Sequence, residues 1–153
     1  MRRDLSIPVR LQAIEAMWRL GDTDARDKLV TGTLSKFPDD QIVCLLALAG
    51  PRNQEAMRYI RSQLTNDYTE TKLAAARAAG MLGSDDGMAI ALKAVESNDA
   101  RQRSMAALAL GAIGRSDVQS ELRKLLEDRD ASVRLAAATA VLQLKPPGAM
   151  MDN

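Results

Sequence analysis

The feature that most constrains this chain is a repeat of 31 residues. Stepping back from Arg134 by that interval meets Arg103, Lys72, Gln41 and Arg10, all polar side chains that can donate a hydrogen bond. Six residues beyond each lies an unbroken alanine column of Ala16, Ala47, Ala78, Ala109 and Ala140. A second column of small residues holds Ala13, Cys44, Ala75, Ala106 and Ala137. Two further columns are apolar throughout: Ile14, Leu45, Ala76, Ala107 and Ala138, then Met17, Leu48, Ala79, Leu110 and Val141. Spacings of three and four residues put these positions on one face of a helix. A unit this small cannot bury such a face alone, so successive units must stack and share one continuous core.

The ends of the helices repeat as well. Gly21, Gly83 and Gly114 share a position where glycine closes a helix by turning left-handed without a Cβ clash. The second unit instead reads Gly50-Pro51-Arg52, so its glycine comes early and its first helix is expected to be shortened. After each stop comes an acidic column, Asp24, Glu55, Asp86 and Asp117, suited to the first turn of a second helix, where carboxylates oppose the positive end of the dipole. Ala25, Leu29 and Thr33, then Ala56, Ile60 and Leu64, then Val118, Leu122 and Leu126 give those second helices their buried side. Each unit is therefore a helix A, a turn and a helix B. The expected fold is all-α, an α-solenoid of four A/B pairs and a final helix A that opens at Asp130. It forms a single domain over residues 1–145, with residues 146–153 a disordered tail after Lys145-Pro146-Pro147-Gly148.

Composition then narrows the chemistry. The 153 residues hold one Trp, two Tyr and one Phe, so the core must be built from Ala, Leu, Ile, Val and Met, as close helix stacking requires. No histidine is present, which removes Ser-His-Asp and Cys-His nucleophile pairs, His-ligated zinc and imidazole proton shuttles. With 21 Lys and Arg against 20 Asp and Glu, the chain has no strong phosphate-binding field. Its one cysteine, Cys44, lies in the run Ile42 to Leu46 and reads as a small buried hydrophobe. The acid pairs Asp39-Asp40 and Asp85-Asp86 fall at turns or helix starts, where capping explains them better than catalysis. No catalytic residue, metal site or cofactor is expected. No apolar run approaches transmembrane length, and the expected setting is cytoplasmic without a membrane partner.

These columns resemble the HEAT-like repeats of the phycobilin-lyase type. The fourth unit is the most similar, with Gly114, Asp117, Val118, Leu122, Leu126, Asp128, Asp130, Val133, Arg134, Ala137, Ala138, Ala140 and Leu144 where that pattern sets its glycine, acidic, apolar and Val-Arg positions. The resemblance spans about residues 4–145 and implies an α-solenoid used mainly as a protein-binding scaffold. It also implies a ladder in which an acid six residues before each base bonds between repeats. The positions here are Asp4 with Arg10, Ser35 with Gln41, Asn66 with Lys72, Ser97 with Arg103 and Asp128 with Arg134. We read this column as internal, satisfying turn carbonyls, rather than as a ligand strip. Among relatives, the iron-binding deoxyhypusine hydroxylase type needs His-Glu motifs that this chain lacks. A subunit of a phycobilin-lyase-like chromophore-attachment complex and a nucleic-acid-binding module are the alternatives to a protein scaffold.

In such arrays the B helices usually line the concave face. The expected partner site is therefore Lys28, Arg58, Tyr59, Ser62, Ile90, Lys93, Glu121 and Lys124, with Tyr59 beside Ile90 as its anchor. Arg58, Arg61, Lys93, Arg123 and Lys124 could instead track phosphates, although balancing acids and scarce aromatics disfavour nucleic acid. A second candidate is the outer side of the A helices, where Val43, Leu46, Met105 and Leu108 break the polar pattern, although inter-repeat packing also accounts for them. Neither end carries a polar capping repeat, so the chain is expected to be a piece of a longer array or to self-associate through its ends.

Overall fold

The computed structural model describes the backbone of residues 7–144 and the side chains of residues 9–144. The Asp4–Arg10 rung and the expected tail lie outside the described residues. Among those described there are nine α-helices and no strand. The A helices are α1 (Ile7–Arg19), α3 (Pro38–Ala49), α5 (Thr69–Met81), α7 (Ala100–Ile113) and α9 (Ala131–Gln143), and the B helices are α2 (Thr23–Gly32), α4 (Met57–Ser62), α6 (Met88–Ala94) and α8 (Gln119–Leu126). Single 3-10 turns, Gln54–Ala56 and Ser116–Val118, lead into α4 and α8. The fold is an all-α solenoid of stacked helix pairs. Its A helices pack directly on one another, α3 on α5, α5 on α7 and α7 on α9, while each B helix lies against the A helices of its own and the next repeat.

The small columns explain that close A row. Ala78, Ala109 and Ala140 have no exposed surface, and Ala47 keeps only 5%. A Cβ added at Gly80 would stand 2.7 Å from the Ile113 amide nitrogen, and one at Gly111 would stand 2.6 Å from the Ala140 Cα. Backbones that approach this closely leave no room for a methyl group. Cys44 is buried in the same row against Gly32, and burial, with Asp40 nearby, pushes its thiol up to about 11, so it is an inert packing residue.

The turn column differs from expectation in the second unit. Gly21, Gly83 and Gly114 are left-handed, with φ of 89°, 85° and 72°. Gly50 is right-handed at φ −53°. Arg52, at the column position itself, takes the left-handed conformation at φ 56°. The left-handed turn is thus kept against residue preference, and α3 stops at Ala49, one to two repeat positions before its counterparts end, the shortening expected there. One helix B position also shifts. Leu125 is buried in the last B helix, whereas Leu126 is 37% exposed.

Side-chain caps set the start of some helices. Asp22 caps α2 by accepting from the Ala25 amide at 3.0 Å, and Asn53 caps the 3-10 turn before α4 by accepting from the Glu55 amide at 2.9 Å; in the turn before α6, Ser84 accepts from the Asp86 amide at 3.2 Å, all two residues before the acidic column. Asp99 and Asp130 cap α7 and α9 in the same way. The paired acids expected at caps take other partners: Asp40 accepts from the Ser35 hydroxyl, while Asp39, Asp85 and Asp86 pair with arginines.

One of those pairs shows which way the stack bends. Arg101 on α7 reaches Asp39 on α3 at 2.5 Å, across the intervening α5. Two steps of a straight stack, about 8–10 Å per helix, would hold these side chains apart. They meet because the first turns of the A helices approach one another more closely than a straight stack allows. With the A helices packed directly on one another, the alanine row is read as the inner one, where the expectation set the B helices.

Candidate protein-binding faces

The polar column is internal at Gln41 and Arg103, half-buried at Lys72 and exposed at Arg10 and Arg134, and among the described residues it bonds between repeats only from Gln41 and Arg103. Arg103, 7% exposed, gives Asp128 of the next repeat a bidentate pair at 2.8 and 2.9 Å. Its remaining nitrogen donates to the Ser97 and Asn98 carbonyls at 2.9 and 3.2 Å. One repeat pair earlier, Gln41 repeats the geometry without charge. Its amide donates to the Ser35 carbonyl, and its oxygen accepts from the Thr71 hydroxyl at 2.8 Å and the Asn66 amide at 3.3 Å. No such bond joins Lys72 to Ser97 among the described residues; Ser97 donates to Gln102 instead. Pairing with Arg103 holds the Asp128 carboxyl below the ordinary carboxylate range.

The eight residues expected to bind a partner are distributed over all four B helices. Lys28, Arg58, Ser62, Lys93 and Lys124 are exposed, whereas Tyr59, Ile90 and Glu121 are half-buried. Arg58 stacks over the Tyr59 ring at 4.5 Å and bonds its hydroxyl, and Ser62 donates to the Tyr59 carbonyl at 2.7 Å. Ile90, with Met88 and Leu108, packs against the buried group that includes Leu110, Val118 and Leu122. The Ser120 hydroxyl donates to Glu121 at 2.6 Å. Ion pairs tie the outer repeats together: Arg26 to Glu55 at 3.2 Å, Arg61 to Asp86 at 2.6 Å and Arg115 to Asp85 at 3.0 Å. Arg61, counted in sequence as a free base, is thus a repeat-to-repeat link.

The inner face has a different character. Residues seven apart on a helix share a stripe, so Leu46 lies below Asp39, Arg77 below Glu70 and Leu108 below Arg101. Beneath the Asp39–Arg101 pair run Val43, 43% exposed, and half-buried Leu46, Arg77, Met81, Met105 and Leu108. Met105 and Leu108 also touch the core, so inter-repeat packing accounts for part of their apolar character. Arg77 makes no ion pair or side-chain hydrogen bond among the described residues, and burial alone holds its guanidinium below the usual arginine value. Arg77 was not singled out in the sequence. Its column reads Glu15, Leu46, Arg77, Leu108 and Thr139, so its only signal was a charge standing between two leucines.

Among the described residues no group of three acidic, cysteine or histidine side chains converges on a metal position. No described helix is long and apolar enough to cross a membrane. Residues 88–150, the stretch that carries α6 to α9, match a family model of HEAT repeats. No curated protein matches the chain.

Proposed function

We propose that this chain is a non-enzymatic scaffold that binds a protein partner, and that the inner face of the A row holds it. What carries the reading is the stripe of Val43, Leu46, Met81, Met105 and Leu108, partly open to solvent on the inside of a bent HEAT-like array. Such a surface can remove apolar side chains of a partner from water while the rigid stack keeps its own shape. Lys28, Arg58, Tyr59, Ser62, Ile90, Lys93, Glu121 and Lys124 form the second surface open to a partner. It is supported by the exposure of Lys28, Lys93 and Lys124, which have no ion-pair partner among the described residues.

A peptide-display selection against the whole chain separates the two faces. Val43→Asp with Leu46→Asp is expected to abolish binding of the selected peptides, while Tyr59→Ala with Lys93→Glu retains it. Circular dichroism and thermal melts check that both variants fold. The opposite pattern moves the site to the B row. Enrichment of no peptide at all contradicts the scaffold reading.

A further inference from the structure

Arg77 is the one charged residue in the lower part of the stripe on α3, α5 and α7. It stands on the central helix of the row, α5, with Leu46 on one side and Leu108 on the other. Its immediate neighbours in the column, Leu46 and Leu108, offer no carboxylate; Glu15, two repeats away in the same column on α1, accepts from Arg19 at 2.7 Å, and the acids at the top of the stripe are engaged elsewhere. Asp39 is paired with Arg101, and Glu70 accepts from the Gln102 amide at 3.0 Å. A half-buried guanidinium loses hydration and gains no counter-charge from this chain. The arrangement is costly to the isolated fold, and that cost is offset when an anionic group arrives from outside. The planar fork of arginine suits a carboxylate, which it binds through two parallel hydrogen bonds.

Resting on the scaffold reading above, we propose that the inner face binds a partner segment that is apolar except for one carboxylate, whose acid pairs with Arg77 while flanking apolar side chains cover Val43, Leu46, Met81, Met105 and Leu108. The charge supplies orientation and selectivity, and the apolar flanks supply contact area. A basic or uncharged segment leaves the guanidinium desolvated and unpaired, so the face discriminates against it.

Charge exchange tests this. Short Leu- and Ala-rich peptides with one central glutamate, and matched sets with glutamine or lysine there, are titrated by fluorescence anisotropy against the whole chain. The same titrations use Arg77→Leu and Arg77→Glu, each first checked by thermal melting. The wild type is expected to prefer the glutamate set by about tenfold or more. Arg77→Leu should bind the glutamate and glutamine sets equally, and Arg77→Glu should turn the preference toward lysine. Equal binding of all three sets by the wild type overturns the role of Arg77 and leaves the scaffold reading standing. Binding of none overturns both. A chain that sediments as a dimer, and that the glutamate peptide disperses, would put a second copy on this face and overturn the proposed partner.

Discussion

Single residues show how firmly the repeat imposes its geometry. Arg52 sits left-handed because three glycines hold that position in the other units, and the second unit keeps the same turn with a side chain that disfavours it. Arg52→Gly should therefore raise stability by up to about 1 kcal/mol, read as a higher denaturation midpoint. A lower midpoint would mean that the exposed arginine contributes a contact outweighing its backbone conformation. The opposite change belongs at the row of close contact. Gly80→Ala drives a Cβ to within 2.7 Å of the Ile113 backbone and should cost about 1–3 kcal/mol. Ala109→Leu, at a position with no exposed surface, should cost a similar amount, and an unchanged thermal melt in either variant would contradict the packing described. The alanine column of Ala109 was legible in the sequence because periodicity reports which positions must be small; the column of Gly80, which also holds Trp18 and Leu142, was not. Arg52 was not, since residue preference points the left-handed turn to Gly50, and only the conserved spacing between helices overrides it.

At the scale of elements, the A helices are joined by polar rungs as well as by area, and the rungs differ in kind. The charged one predicts a pH dependence. Asp128 has its carboxyl lowered by Arg103, so its ionised form is favoured in the folded state. The stability this adds is fully present above the unfolded aspartate value of about 3.9 and is lost as pH falls through the lower folded value. Asp128→Asn should therefore melt earlier than the wild type at neutral pH, and the difference should close as pH drops below about 4. A difference that persists unchanged in acid would show that the rung acts through its neutral hydrogen bonds alone. The Gln41 rung carries no charge, so Gln41→Leu should lower the melting temperature by an amount independent of pH in the same range. The sequence located this column and its spacing. It did not reveal which rungs close, because that depends on whether a complementary group stands across the gap: Arg103 meets the Asp128 carboxylate and Gln41 meets the Thr71 hydroxyl and Asn66 amide, whereas Lys72 makes no such bond to Ser97 among the described residues.

For the whole molecule, the columns that stack inside the array are left open at its last described helix. Leu142 occupies the position of Gly80 and Gly111, which face the next A helix, and it is 87% exposed, with Leu135 at 70%. Leu20 occupies the position of Leu82 and Ile113, which face the preceding one, and is 89% exposed. Leu142→Lys should leave stability within about 0.5 kcal/mol of the wild type and reduce any concentration-dependent light scattering. Unaltered association would remove this face from self-contact. The sense of the bend was not legible in sequence, because the repeat pattern is the same whichever row lies inside. A contact between residues two repeats apart favours the A row, and the proposed inner face and the proposed role of Arg77 rest on it.

Distances between spin labels two repeats apart measure that bend directly. With Cys44 replaced by alanine, one pair of labels is placed at Glu70 and Ser132 on the A row and another at Arg58 and Ser120 on the B row. The account predicts a shorter distance for the A-row pair. An A-row distance equal to or longer than that on the B row would put the alanine helices on the outside and contradict it.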